Sequence, residues 1–163
     1  GKRFKLTYKT SKNPTRKKIA EVFASQLGEV GIGVEIKSYE WGTFFSDIKK
    51  GNFQLYSLTW VGIADPDIYY YIFHSKSVPP DGANRGGYEN GELDALLERG
   101  RGETDFDKRA AIYRRVQEII ADDMPYVNLW LSVNVAAVSD RIKGFEIYPD
   151  ESLDSLTRVT LAD

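Results

Sequence analysis

Phe4-Lys5-Leu6-Thr7-Tyr8-Lys9 alternates apolar and basic side chains, the period of a half-buried strand. Asn13-Pro14 follows, an N-cap residue and then proline at a first helical position. Ile19, Val22, Phe23, Leu27 and Val30 recur at helical spacing, and Gly28 and Gly31 are candidate stops. Alternation returns from Ile32 to Tyr39. Trp41 to Lys50 reads as a short helix ended by Gly51, and Phe53 to Val61 as a third strand. Strand–helix–strand–helix–strand demands crossover connections. The expected fold is therefore α/β, with a mixed, largely parallel sheet flanked by helices.

Working outward, Asp65-Pro66-Asp67 carries the marks of a helix start, and that helix should run through Ile68 to Phe73. Residues 75 to 89 hold too much Pro, Gly, Ser and Asn for regular structure. Glu92 to Arg99 predicts a short helix. Thr104, with Asp107 three residues on, resembles a capping box opening the best helix of the chain. Phe106, Ala110, Tyr113, Val116, Gln117 and Ile120 would share one face, with Pro125 as the stop. Tyr126 to Val138 is apolar enough for one or two buried strands, and Gly144 to Tyr148 for another. The tail, Ser152 to Leu161, has strand-like residues without an obvious partner.

The 163 residues suit one domain, long enough to bury roughly 70% of the surface an unfolded chain exposes. A net charge of −2 argues against general binding to nucleic acid or membrane surfaces. Without cysteine there is no disulfide framework, zinc thiolate site or cysteine nucleophile. No apolar run approaches the ~18 residues of a membrane span. The chain opens Gly1-Lys2-Arg3 rather than on methionine, which suggests a processed or excised segment. Eight basic residues between 2 and 18, with no acid among them, read as a solvated strand face and helix start.

Catalytic devices are missing. A Ser-His-Asp arrangement needs a histidine base, and the only histidine, His74, stands at a helix end, where a capping or surface role is expected. The glycines of Leu27-Gly28-Glu29-Val30-Gly31-Ile32-Gly33 precede a strand, whereas the dinucleotide fingerprint follows one. Asp65, Asp67 and Asp81 match no calcium loop. Neither a metal nor a cofactor is expected, and no enzyme activity. Trp41 reads as core packing. Ten Tyr, eight Phe and three Trp leave material for a cleft that stacks on ligands.

The order of several weak motifs is more specific than any one of them. Gly31-Ile32-Gly33-Val34 is followed by Glu40-Trp41-Gly42-Thr43-Phe44. Gly51-Asn52-Phe53 leads to Trp60 and Asp65-Pro66-Asp67. Next come Asn84-Arg85-Gly86-Gly87-Tyr88-Glu89-Asn90, with Asp94 and Leu97. Arg109, Tyr113, Gln117-Glu118-Ile119-Ile120, Asp123-Met124-Pro125 and Lys143-Gly144-Phe145 complete the series. Together they resemble the C-terminal lobe of the bacterial extracytoplasmic solute-binding proteins that serve peptide-type ABC transporters, family 5.

The resemblance implies that residues 1–163 form one ligand-binding lobe of a periplasmic-binding-protein-like fold. It implies that the tail, 150–163, belongs with a missing N-terminal lobe. The implied function is the extracytoplasmic substrate-binding component of an ABC importer, closing two lobes on a peptide or another small polar solute. Its partners would be that solute, the transporter's membrane subunits and the other lobe, and its place periplasmic or extracytoplasmic, with lipoprotein anchoring left open. A sugar hydrolase and a protein-interaction domain are the alternatives. Trp60 matches a tryptophan that lines the cleft in relatives. Three residues later, where peptide binders carry an aspartate for the ligand's α-amine, stands Ile63. Trp60, Asp65, Asn84, Arg85 and Tyr88 are the candidate ligand-binding residues. Arg85 offers a fork for a carboxylate or phosphate. The plainer reading has Asn84 and Arg85 stapling the long loop, and has Asp65 capping its helix.

Overall fold

A computed structural model describes residues 4–162. Strand β1 (Lys5–Ser11) leads into helix α1 (Pro14–Glu29), whose Asn13 cap accepts a hydrogen bond from the Arg16 N–H at 3.1 Å. Strand β2 (Gly33–Tyr39) runs parallel to β1, in a register from Lys5–Gly33 to Ser11–Tyr39. Helix α2 (Trp41–Lys49) crosses back to β3 (Leu55–Tyr56), which pairs parallel with Tyr8 and Lys9 on the other side of β1. The sheet order is thus β2-β1-β3, the crossover arrangement predicted from period alone. All three strands are parallel. The antiparallel component stands apart, as a separate two-stranded sheet.

β3 is far shorter than the stretch from Phe53 to Val61. The Thr7 N–H, which would extend the ladder, donates instead to Gln54 Oε1 at 2.7 Å. A side chain ends the pairing at that point. Beyond Tyr56 the chain leaves the sheet and passes Trp60 without regular structure.

Three helices build the second part of the core: α3 (Ile68–Phe73), α4 (Gly91–Gly102) and α5 (Phe106–Asp123). Ile72, Phe73, Leu93, Leu97, Tyr113, Val116, Ile119 and Ile120 pack there as one buried cluster. Leu93 and Leu97 are fully buried, each worth roughly 1.5–3 kcal/mol of transfer free energy. α4 and α5 approach so closely that a Cβ on Gly100 would lie 2.9 Å from the Tyr113 ring. Asp105, not Thr104, caps α5: its side chain accepts from the Lys108 N–H. Phe106 therefore falls at the first helical position, ahead of the buried face, and is 83% exposed.

His74 is buried rather than at the surface. It follows α3, receives the Lys76 N–H on Nδ1, and turns Nε2 toward Glu98 at 3.3 Å. Residues 126–138 form no strand, and Leu131, Val133 and Val135 stand in solvent. No described strand lies alongside to pair with them, and an unpaired strand does not persist alone. The tail does find a partner: β4 (Ile142–Lys143) pairs antiparallel with β5 (Thr160–Leu161), after a 3₁₀ turn over Asp154–Arg158. The expected strand at Gly144–Tyr148 does not form, and residues 145–148 have no regular structure. Gly144 takes a positive φ where its Cβ position is only 2.4 Å from the Arg158 carbonyl oxygen, so the turn tolerates no side chain.

Candidate functional site

α2 presents Trp41 and Phe45 one turn apart on the same face, and their rings stack at 5.6 Å with planes 7° apart. The Arg16 guanidinium, from the first turn of α1, lies over Trp41 at 4.9 Å. On the other side of this pair, the Arg85 guanidinium sits 5.6 Å from the Phe45 ring and 5.4 Å from the Trp60 ring. Tyr71 closes the row, edge-on to Trp60. Lys49 adds a second cation over Phe45. Cation and aromatic face thus alternate along one wall, each contact worth about 0.5–1 kcal/mol at exposed sites. Next to Trp41 the wall opens into a groove lined by Ser11, Lys12, Asn13, Arg16 and Glu40.

Neither arginine is neutralised. Arg85 and Arg16 make no side-chain ion pair or hydrogen bond among the described residues, and Arg85 Nε and Arg16 Nη1 are buried without acceptors. Trp41 is half exposed, so its expected core role is overturned: its ring rests on α2's own Phe45 and Phe44 and on Arg16.

Of the five residues singled out in the sequence, Trp60 and Arg85 meet. Asn84 does not face the wall. It is buried; its Nδ2 donates to the carbonyls of Tyr88 (2.7 Å) and His74 (3.2 Å), and its Oδ1 accepts from the Tyr88 N–H. All its visible valence goes into holding the 75–89 loop. Tyr88 donates its hydroxyl to Asp123 at the end of α5, and burial together with that carboxylate pushes its pKa up to about 12. Asp65 accepts two bonds from Arg109, at 2.7 and 3.0 Å, and one from the Asp67 N–H. The Arg109 bonds hold its carboxyl below the ordinary range. The polar atoms of all three are thus engaged inside the chain.

Phe45 and Arg16 were not legible as site residues. Trp41 and Phe45 at i and i+4 gave the one available signal, a shared aromatic face. Ile63 is exposed and lines a separate shallow groove with Tyr148, Pro149, Asp150, Ser152 and Asp154.

Comparison with known proteins now bears on this wall. A family model described as bacterial extracellular solute-binding proteins, family 5 (middle region), matches residues 1–80. The oligopeptide-binding protein AppA of Bacillus subtilis is 30% identical over 165 residues, covering 99% of this chain. The chain belongs to that family. The dipeptide-binding protein of Escherichia coli is 26% identical over 84% of the chain. The solved structure of B. subtilis AppA in complex with a nonapeptide superposes with a TM-score of 0.84 at 28% identity; it covers all of this family 5 chain and 32% of the AppA chain. The fold is accordingly that of a periplasmic-binding-protein lobe. The chain spans about 30% of the length of AppA and 26% of the E. coli relative.

Proposed function

We propose that this chain is the C-terminal lobe of the extracytoplasmic substrate-binding component of an ABC importer, and that it holds a peptide or a related small polar solute in a two-lobe cleft. The observation that carries this reading is the wall of Trp41, Phe45, Arg85 and Trp60. It is aromatic, partly exposed, cationic and one-sided. Solute clefts bury most of the ligand's surface, which takes two walls. The relatives' greater length supplies room for the second. Their names, oligopeptide- and dipeptide-binding protein, favour a peptide-like cargo.

Trp60 and Arg85 are the ligand contacts in this reading, joined by Phe45 and Trp41. Asn84, Tyr88 and Asp65 hold the loop and helix that carry them. Residues 150–163 go with the other lobe. The importer's membrane subunits are the macromolecular partners. The protein works outside the cytoplasmic membrane, with or without a lipid anchor. Closure about a hinge, rather than covalent chemistry, retains the solute.

The test is calorimetry of the full-length protein with defined di- to pentapeptides, beside the same titration of this chain alone. Saturable heat with peptide recovered intact is expected. Losing one wall should weaken a micromolar complex of about −8 kcal/mol to about the millimolar range. Hydrolysed peptide would replace this reading with an enzyme. Equal affinities would place the whole site within these residues.

A further inference from the structure

We infer that the group this wall receives is a carboxylate of the solute, and that Arg85 takes it. The inference rests on the binding-lobe reading above and narrows its substrate class. The guanidinium lies 5.6 Å from the Phe45 ring and 5.4 Å from the Trp60 ring, so two aromatic contacts hold it at the wall. The edge of a guanidinium matches a planar carboxylate with two parallel hydrogen bonds. Its Nε lies buried with no acceptor, a costly state for a charged donor unless something arrives to accept from it.

Arg85 has no salt-bridge partner among the described residues, and several acids are committed elsewhere. Asp65 is held by Arg109, Asp123 by Tyr88 and Asn90, Asp47 by Lys9 and Asn52, and Glu40 pairs with Lys12 at 2.7 Å. At Ile63 the position that carries an aspartate in resembling peptide binders is an exposed aliphatic. An ammonium brought to Trp60 would meet two like charges, Arg85 and, across Phe45, Lys49. A carboxylate there meets a cation whose Nε has no acceptor among the described residues. The polarity at Trp60 is thus reversed relative to a site built for an α-amine.

Two blocked dipeptides separate the charges: N-acetyl-Ala-Ala keeps only the carboxylate, and Ala-Ala-amide keeps only the ammonium. Each is titrated into the full-length protein while the Trp60 indole N–H and the Arg85 Nε–H are followed by NMR. N-acetyl-Ala-Ala should shift both signals saturably. Arg85→Gln should weaken it about tenfold or more, and Arg85→Lys should recover part of the loss. A response to Ala-Ala-amide alone, or N-acetyl-Ala-Ala binding indifferent to Arg85→Gln, overturns the inference. If calorimetry finds peptide ligands whose affinity survives C-terminal amidation and Arg85→Gln, the carboxylate contact falls and the binding lobe stands. If peptides fail but glutarate shifts Trp60 in an Arg85-dependent way, the oxyanion contact stands and the peptide reading falls. Silence from every probe overturns both.

Discussion

Asn84 and Arg85 are sequence neighbours with opposite commitments. Asn84 spends its amide on three main-chain groups of the 75–89 loop, inside the protein. Each such bond nets about 0.5–1.5 kcal/mol, and a buried group left unpaired costs about 1–3 kcal/mol. Asn84→Ala should therefore lose about 2–4 kcal/mol of stability. Arg85 gives the fold only two cation–π contacts, and its Nε is unsatisfied. Arg85→Gln should stay within about 1 kcal/mol of the parent. Urea denaturation of the two variants measures the contrast. A mild Asn84→Ala beside a severe Arg85→Gln would exchange the roles of staple and site. The sequence motif joined these residues as one candidate feature. Side-chain direction separates them, and direction follows from the loop's path rather than from residue type.

At the scale of elements, the start of α5 shows what a motif leaves open. Thr104 with Asp107, and Asp105 with Lys108, both offer a cap with helix three residues on. The chain uses Asp105, whose own N–H is held by Glu103 Oε1 at 2.9 Å while its carboxylate accepts from Lys108. A carboxylate also suits the positive end of the helix better than a hydroxyl does. Asp105→Ala should cost about 1 kcal/mol, and Thr104→Ala no more than about 0.5 kcal/mol. Thermal unfolding followed by circular dichroism decides it, and the reverse order would restore the Thr104 cap. The expected face keeps Tyr113, Val116 and Ile120 in the core. Phe106, predicted to be core, is in solvent, while Ile112 and Ile119 are buried.

The whole molecule carries an apolar surface that the chain itself does not cover. Trp130, Leu131, Val133 and Val135 are exposed along residues 126–138, a stretch with the composition of buried strands. Exposed apolar residues gathered in one segment fit an interaction surface. In the two-lobe reading this segment and the tail at 150–163 lie against the other lobe, where strand pairing becomes available to 126–138. Hydrogen exchange read by mass spectrometry tests the point. Amides of 127–138 should exchange fast in this chain and slow by at least tenfold in the full-length protein, as amides bonded in a sheet do. Equal exchange in both would take the segment out of any interface between lobes.

The sequence by itself determined the β1–α1–β2–α2 order, the Asn13 cap and a helix close after Asp65-Pro66-Asp67, but not that helix's cap: α3 begins at Ile68 after Asp67, and the Asp65 side chain accepts from the Asp67 N–H ahead of the helix. The sequence also carried the family resemblance over most of the chain, from Gly31 to Phe145. Those features rest on periods of two and 3.6 residues and on caps closed within one turn, so every interacting residue lies nearby in sequence. Tertiary structure alone decided how far β3 runs: Gln54 closes its start on β1, and beyond Tyr56 the chain leaves the sheet. It decided that 126–138 goes unpaired and that Thr160–Leu161 finds Ile142–Lys143. It also decided the wall, where Arg16, Trp41, Phe45, Trp60 and Arg85 arrive from two helices and two irregular segments. Strand partners and converging side chains depend on contacts between residues far apart in the chain, and no local propensity encodes which of them will meet.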